Sequence, residues 1–478
     1  MIQEHPQAVV LDEENPWPAL SAFEEAGQGF FNGRQDEAAA LRRLVGQAAL
    51  TVVFGKSGLG KTSLLEAGLF PLLRADRFLP VYVRMDFQER DRPLIDQVAA
   101  AFRTATAAHA IDAPEFTPGE SLWRYLHRTD LELWDAQNHL LTPVFVLDQF
   151  EEAFTLGADN SAAVSQFRVD LADLVENRIP ASLAARSEES EGSDADLDLQ
   201  RQHYKVLVSF REDFLPAIES WKQEMPSLLR NRLRLLPMTG TQAFEAVHDT
   251  APRIAPREIA EDIVRFVAAT QLWELAGAGP PGGPQSPGPR PDPAGEAKPL
   301  RELIVEPALL SLVCHGLNER RKPSPSIDQA LLQGTGRSII EDFYQRSVKD
   351  MPDTVRRFIE NELITERGFR KLCSIDDARS GYDLTDAQLR ALVDRRLLRI
   401  EPSQGIERVE LMHDVLTPVV RQERERQREE QRRKEEKAEA HRQRTRARTR
   451  AHTARAGMLL IILAGSRGLG RWALKQKQ

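Results

Sequence analysis

Short apolar runs alternate with amphipathic segments over the first half of the chain. The runs are rich in Val and Phe, which is typical of buried parallel strands. Between them, apolar residues recur at helical spacing over Thr62–Arg74 and Leu94–Thr106. This alternation predicts an α/β fold, in which helices cover both faces of a parallel sheet. The predicted strands are Leu50–Phe54, Leu79–Arg84, Pro143–Leu147 and Lys205–Phe210.

The second half of the chain has a different pattern. The β-like runs disappear after about residue 240, and Leu300–Leu317 and Arg337–Arg370 have a helical period. Leu384–Val419 has the pattern helix, short strand, turn, short strand, helix. Gly277–Gly295 holds 6 Gly and 7 Pro in 19 residues, which is typical of a flexible insert. Ser187–Asp198 holds six acidic residues and is expected to be a solvated loop.

A phosphate-binding loop is the most specific motif. Residues 55–62 match G-x-x-x-x-G-K-[ST] in full, between a predicted strand and a predicted helix. Glycines in such a loop let successive N–H groups point at one anion, and the helix N-terminus adds its positive dipole end. Lys61 is expected to bind the β- and γ-phosphates of ATP, or the β-phosphate of ADP, and Thr62 to bind Mg²⁺. The predicted nucleotide-binding residues are Gly55, Lys56, Ser57, Gly58, Leu59, Gly60, Lys61, Thr62 and Ser63.

Carboxylates follow another predicted strand. Val144–Leu147 is apolar and ends at Asp148, as in a Walker B strand, so Asp148 is predicted to be the second magnesium ligand. Glu151 or Glu152 is expected to act as general base toward water, although both also fit a solvated helix start. Arg211 follows the strand Lys205–Phe210 and is a candidate sensor of the γ-phosphate; a salt bridge to Glu212 or near Asp213 is the alternative interpretation.

Five ordered segments together resemble the novel STAND NTPases, a bacterial branch of the signal-transduction ATPases related to NACHT and NB-ARC proteins. The resemblance covers about residues 15 to 420. It implies an ATP/ADP switch, with slow hydrolysis in a regulatory role. The segments are Asn15–Phe23, Phe30–Arg34, the phosphate loop continuing to Pro71, Leu147–Phe154 and Ser209–Phe214.

The resemblance also implies roles for residues outside the phosphate loop. Arg34 matches an arginine near the adenine and ribose, and Arg211 matches the sensor arginine. Pro307 is similar to a proline that packs on the adenine. His413 matches the histidine of an MHD motif that contacts the β-phosphate of ADP, whereas the residues alone favour a core histidine there.

The domains expected on this basis follow the chain in order. They are an N-terminal lead (1–48), the P-loop NTPase core (49–240), a helical domain (241–340, with the insert 277–299), a winged-helix domain (341–420), a charged helix (421–455) and a short apolar tail (456–478).

Charge separates the tail from the rest of the chain. The 478 residues have a net charge of −8, but residues 421–478 hold 18 Lys and Arg against 7 Asp and Glu, so the body is strongly acidic. An acidic body is a poor general binder of nucleic acid. The basic stretch before Met458–Ala464 is typical of a cytoplasmic juxtamembrane segment. Residues 441–478 are therefore expected to lie on an anionic membrane, to span one in a longer chain, or to bind a protein.

Other compositional features indicate the cytoplasm. No signal peptide begins the sequence, and no stretch of about 20 apolar residues occurs. Cys314 and Cys373 lack the spacing of a zinc site and are expected to be reduced thiols.

The leading hypothesis is an ATP-dependent switch that forms a homo-oligomer when ATP is bound and acts on an unidentified effector. One alternative is a transcription regulator, because Arg390, Arg395 and Arg396 on the helix before the predicted wing could contact DNA. Another is a scaffold that binds nucleotide without hydrolysing it.

Overall fold

A computed structural model gives the fold. It describes residues 10–86, 92–155, 161–184, 196–276, 298–335, 338–365, 370–395, 397–403, 406–412 and 416–439. The chain divides into two units at Val419 and Val420.

A five-stranded parallel sheet forms the centre of the first unit. Its order is β2–β3–β4–β1–β5, so β1 lies between β4 and β5 and its carboxyl end meets both neighbours at one edge. The α/β prediction is therefore confirmed. The strands are β1 Leu50–Gly55, β2 Phe78–Val83, β3 Thr142–Leu147, β4 Lys205–Arg211 and β5 Arg232–Arg234.

Helices cover both faces of this sheet because successive strand residues point to opposite sides. On one face, Val53 and Val146 pack with leucines of the helices at 35–47 and 61–75. On the other, Val52, Phe145 and Val208 pack with apolar residues of the helices at 94–108 and 161–175. The helices of this part are Gln35–Gln47, Lys61–Ser63 continuing as the π-helical Leu64–Leu69 and Phe70–Ala75, Leu94–Ala108, Leu122–Leu126, Glu152–Thr155, Ser161–Val175 and Leu215–Glu219.

Helices dominate after the sheet. A short antiparallel pair, β6 Met238–Thr239 and β7 Ile304–Val305, joins the start of this region to the segment before Pro307. The prediction of a helix from Leu300 was wrong at its start: the helix begins at Pro307, whose missing N–H suits a first helical position. The helices are Gly240–His248, Arg257–Ala276, Pro307–Arg321 and Gln329–Thr335.

The last part of the first unit is a three-stranded antiparallel sheet with helices. The segment with helical period from residue 337 is two helices, because Pro352 interrupts it. β8 Cys373–Ser374, β9 Leu398–Ser403 and β10 Ile406–Leu411 form the sheet in the order β8–β10–β9. We call β9 and β10 the C-terminal hairpin. The helices here are Ser338–Ser347, Asp353–Glu362, Ile375–Tyr382 and Asp386–Asp394.

The N-terminal segment ties these parts together. The indole Nε1 of Trp17 donates to Ala246 O (3.3 Å), and the amide of Asn318 donates to Glu14 O (2.7 Å). Trp17 is almost fully buried. The segment thus bridges the helix at 240–248 and the helix at 307–321.

In the second unit, residues 420–439 are helical. Ion pairs one turn apart, such as Arg421 with Glu425 (3.0 Å), support a charged helix there. The rest of the predicted tail, including residues 441–478, lies outside the described residues. Among the residues that the structure describes, no helix is long and apolar enough to cross a membrane.

Candidate functional site

The phosphate loop, residues 55–62, joins β1 to the following helix. Gly58 and Gly60 have φ of +80° and +81°, a conformation that L side chains rarely adopt. A Cβ on Gly55 would lie 2.6 Å from Leu235 O, so this position needs glycine for close approach. The glycines of the motif are thus required by the backbone, and the loop curls as a phosphate cradle does.

Lys61 folds back onto the loop. Its Nζ donates to Gly55 O (3.0 Å) and to Lys56 O (3.1 Å). Burial lowers the pKa of Lys61, since a charged amine is costly away from water, and the nearby carboxylates of Glu151 and Asp148 oppose that effect. An anion in the loop would replace these weak carbonyl acceptors with charged ones.

Asp148 lies at the carboxyl end of β3, beside the loop. Its Oδ2 accepts hydrogen bonds from the Thr62 hydroxyl (2.7 Å) and the Tyr82 hydroxyl (3.2 Å). The Asp148 side chain is buried. A serine or threonine hydroxyl paired with a strand-end carboxylate supplies the hard oxygen ligands that Mg²⁺ prefers. Both predicted magnesium ligands are therefore in contact.

The two glutamates after β3 have different surroundings. Glu151 is buried, and its Oε2 accepts a hydrogen bond from the backbone N–H of Arg211 (3.2 Å). Burial raises the pKa of Glu151 to about 7, although Lys61 acts in the opposite direction. Glu152 instead forms an ion pair with Arg84 (3.0 Å). Glu151 is thus the glutamate that faces the phosphate loop.

Arg211 ends β4 and is the direct register partner of Gly55 on β1. Its guanidinium is 9% exposed and forms an ion pair with Asp213. The charge of Arg211 also acts on Lys61, which puts it at the phosphate end of the loop. The alternative interpretation of Arg211, a salt bridge, is also supported, because its side chain pairs with Asp213.

Arg34 is fixed on the other side of the loop. Its Nη2 donates to Leu236 O (2.7 Å), and its Nη1 pairs with Glu37 (2.6 Å). Burial lowers the pKa of this guanidinium. Leu236 directly follows Leu235, the residue that packs on Gly55. The arginine of the Phe30–Arg34 motif therefore reaches the segment next to the phosphate loop.

Pro307 begins the helix that follows β7 and is half-buried. β6 begins two residues after Leu236 and pairs with β7, which ends two residues before Pro307. The fold therefore brings Pro307 toward the segment that Arg34 contacts. Leu236 and Ile304 are exposed apolar side chains in this region (55% and 65%).

Two other members of the predicted set have structural roles. The Ser63 hydroxyl accepts the backbone N–H of Phe23 (3.0 Å), so it anchors the N-terminal segment. Leu59 is buried in the core beneath the loop, whereas Lys56 is exposed.

His413 and Arg396 lie outside the described residues. Of the other two arginines proposed for DNA, Arg390 is exposed, and Arg395 donates to Ser347 O (2.7 Å) and Asp350 (2.8 Å). Arg395 therefore holds two helices of its own domain together.

Sequence reasoning missed the charged residues of the C-terminal hairpin. Arg399 and Glu410 are register partners, and their side chains form an ion pair (2.6 Å). Arg399 Nη1 lies 3.4 Å from the Ser57 hydroxyl of the phosphate loop. The available signal was an arginine and a glutamate facing each other between apolar neighbours, which is visible only once the hairpin register is known.

The donor set fits a nucleotide with magnesium. Lys61 and the curled loop supply donors for phosphate oxygens, and Thr62 with Asp148 supplies oxygen ligands for the ion. These groups lie at the carboxyl ends of β1 and β3, where ligands bind in parallel sheets of this kind.

Comparison with known proteins gives a family and several distant structural neighbours. Residues 16–269 match the model of Novel STAND NTPase 1. Cdc6p from Pyrobaculum aerophilum is 13% identical, with a TM-score of 0.34, over 82% of this chain and 94% of that one. The ADP form of ORC2 from Aeropyrum pernix is 12% identical, with a TM-score of 0.39, over 82% and 95%. A Walker-type ATPase of Pyrococcus abyssi is 12% identical, with a TM-score of 0.36, over 84% and 98%.

The identities and scores of these structures are low, and the fold assignment rests on the parallel sheet itself. No curated protein matches the chain. The family match, by contrast, includes the phosphate loop, Asp148 and Arg211 and spans more than half of the sequence. The protein therefore belongs to the Novel STAND NTPase 1 family and is a nucleotide-binding P-loop NTPase.

Proposed function

We propose that this NTPase is an ATP/ADP-dependent switch. It binds ATP with Mg²⁺, hydrolyses it slowly and signals by domain rearrangement that leads to oligomerisation or recruitment to a membrane. The observation that carries the proposal is the contact of the C-terminal hairpin with the phosphate loop, where Arg399 lies 3.4 Å from Ser57. A nucleotide in the loop would thus be sensed directly by a part of the chain far away in sequence.

The residues of the loop have separate tasks in this proposal. Lys61 exchanges its carbonyl acceptors for phosphate oxygens, and Arg211 donates to the terminal phosphate. Thr62 and Asp148 would hold Mg²⁺, which supplies positive charge against the phosphate oxygens when bound. Glu151 accepts a proton from water, a role that suits a buried carboxylate with a pKa near neutrality.

The domain organisation proposed from the sequence fits this switch. Residues 49–240 form the NTPase core, 241–340 the helical domain and 341–420 the winged-helix domain, with Arg34 and Pro307 at the base and ribose. His413 remains the proposed contact to ADP. The charged helix and residues 441–478 are proposed to direct output to a membrane or a partner.

The alternatives have less support. Arg395, one of the arginines proposed for DNA, is bonded to Ser347 and Asp350 within its own domain. A scaffold without hydrolysis leaves unexplained a buried glutamate with a raised pKa beside Lys61 and Asp148.

Replacement of Lys61 tests nucleotide binding. Lys61→Ala removes the buried ammonium of the loop and should weaken ATP and ADP binding at least about a hundredfold, since charge-assisted hydrogen bonds contribute about 1.5 to 3 kcal/mol each. Isothermal titration calorimetry with Mg²⁺ measures this. The matched control is Lys56→Ala, which removes an exposed side chain of the same loop and keeps the backbone N–H that the loop offers to phosphate, so it should bind within about threefold of wild type. Unchanged affinity in Lys61→Ala would refute the assignment of the site.

A further inference from the structure

The C-terminal hairpin brings a buried carboxylate to the phosphate site. Glu410 lies on β10 opposite Arg399 on β9, and Arg399 Nε donates to Glu410 Oε1 (2.6 Å). The side chain of Glu410 is 7% exposed and that of Arg399 is 14% exposed. Moving a charged pair out of water costs free energy, and the other contacts of this buried pair must offset that cost.

Glu410 also contacts the sensor arginine of the NTPase core. Its Oε1 lies 3.7 Å from Arg211 Nη1, and its Oε2 lies 3.8 Å from Arg370 Nε. Arg370 in turn donates to Leu411 O (3.0 Å), which fixes it against the end of β10. One carboxylate thus faces arginines from three parts of the fold.

The same arginines are placed to bind phosphate. Arg211 is the backbone register partner of Gly55, where the loop begins, and the Arg399 guanidinium contacts Ser57, so both arginines lie beside the loop that contains Lys61. Arginine binds carboxylate and phosphate oxygens in the same forked geometry. A guanidinium that donates to Glu410 has fewer donors for a phosphate, and a second anion beside Glu410 would be repelled.

We infer that Arg399 is a ligand of the terminal phosphate and that Glu410 is the internal anion that this phosphate displaces. This inference rests on the proposed function and adds a specific exchange to it. In the ADP state, Glu410 holds Arg211 and Arg399 and keeps the hairpin on the loop. In the ATP state, the terminal phosphate takes over both arginines, and the contact between Glu410 and Arg211 is released.

The exchange predicts opposite effects of removing the two charges. Glu410→Gln keeps the shape of the side chain but weakens the competing acceptor, so affinity for a non-hydrolysable ATP analogue should rise about tenfold. Affinity for ADP should change less than threefold, because ADP lacks the competing phosphate. Arg399→Gln removes a phosphate donor and should lower affinity for the analogue about tenfold.

Calorimetry with Mg²⁺ and the full chain tests this, using the triphosphate analogue and ADP as probes. Glu362→Gln is the matched control, because Glu362 pairs with Lys371 (3.0 Å) and Tyr382 in the same domain. It should bind both nucleotides as wild type does. Thermal unfolding of each variant reports whether it is folded, and Arg399→Gln provides a second test if Glu410→Gln is not.

The double variant isolates the exchange. In Arg399→Gln, the additional change Glu410→Gln should raise affinity for the analogue by less than threefold, since one of the two competing donors is gone. Equal effects of Glu410→Gln on ADP and the analogue, or an undiminished tenfold gain in the double variant, would overturn the inference. Failure of the proposed function is a separate result, namely wild-type protein that binds neither nucleotide or Lys61→Ala that binds both.

Discussion

Glu151 and Glu152 are adjacent carboxylates in unlike surroundings. The first is buried and accepts a hydrogen bond from the backbone N–H of Arg211, and the second forms an ion pair with Arg84. From the sequence alone, either glutamate could be the general base, because both follow Asp148 within the same motif. Burial and hydrogen bonding separate them, and these depend on the strands that pack around β3.

Glu151→Gln should abolish turnover while nucleotide binding persists. A general base contributes about a hundredfold to ten-thousandfold to rate, so the ATPase rate should fall by at least about a hundredfold. Glu152→Gln is the matched control, and it should keep the rate within about threefold, since this side chain forms a partly exposed ion pair. Single-turnover assays with calorimetry separate chemistry from binding. Equal losses in both variants would contradict the assignment.

The pKa of Glu151 also predicts a pH profile. Burial, with a smaller contribution from Asp148, raises this pKa to about 7 against the opposing charges of Lys61 and Arg211. The base must be ionised, so hydrolysis should increase with pH through about 7 and be about tenfold below its plateau at pH 6. The control is Glu66→Gln, because burial and neighbouring carboxylates raise the pKa of Glu66 to about 7 as well. A rising limb that disappears in Glu66→Gln would assign the titration to Glu66.

Residues in contiguous motifs were predictable from sequence, and those that depend on tertiary register were not. The phosphate loop and Asp148 follow the strands that precede them in the sequence, and the fold brings the Thr62 hydroxyl and Asp148 into a hydrogen bond. Arg399 and Glu410 are separated from Ser57 by more than 300 residues in sequence, and only the fold brings them to it. Ser63 lies in the predicted motif, and its hydroxyl also accepts a hydrogen bond from the backbone N–H of Phe23, a contact that the motif does not predict.

At the scale of elements, the four long strands were predictable because each is a continuous apolar run buried on both faces. β5 was missed because Arg232 and Arg234 are exposed on an edge strand of three residues. β6 and β7 were also missed, because each is only two residues long. Short strands take their stability from the partner, and their own sequence contains little signal.

The turn before the first helix should tolerate only glycine. Gly33 has a φ of +83°, and a Cβ there would lie 2.2 Å from Gln242 O, a backbone atom. Gly33→Ala should therefore lower the free energy of unfolding by about 2 to 3 kcal/mol. Gly29→Ala is the matched control: no atom lies within 4 Å of its Cβ position, and the effect should stay within about 0.5 kcal/mol. Urea denaturation measures both, and equal midpoints would contradict the packing argument.

The fold of the whole molecule explains the uneven charge. The cations of the first unit that face the phosphate site, such as Lys61 and Arg211, are buried and sit among carboxylates. The basic excess of residues 421–478 belongs to the other unit, of which residues 420–439 are helical with ion pairs along the surface. A net charge of −8 therefore combines an acidic first unit with a basic second unit.

Assembly is the expected output at the scale of the whole molecule. A nucleotide shifts a conformational equilibrium only if it binds one conformation more tightly than the other. If the contact of the C-terminal hairpin with the phosphate loop is the switch, the protein should therefore have different molar masses with ATP and with ADP. Glu151→Gln should retain ATP, and with Mg²⁺ and ATP it should form an oligomer, whereas with ADP it should remain a monomer. Size-exclusion chromatography with light scattering measures the masses.

The control for assembly is Lys61→Ala, which should remain a monomer with either nucleotide because it cannot bind the phosphates. A chain ending at residue 440 tests the tail in the same assay. If it still assembles with ATP, residues 1–440 contain the oligomer contact, and residues 441–478 have a separate partner. Identical masses of Glu151→Gln with ATP and with ADP would exclude oligomerisation as the output and leave recruitment of another molecule as the consequence of releasing Glu410 from Arg211.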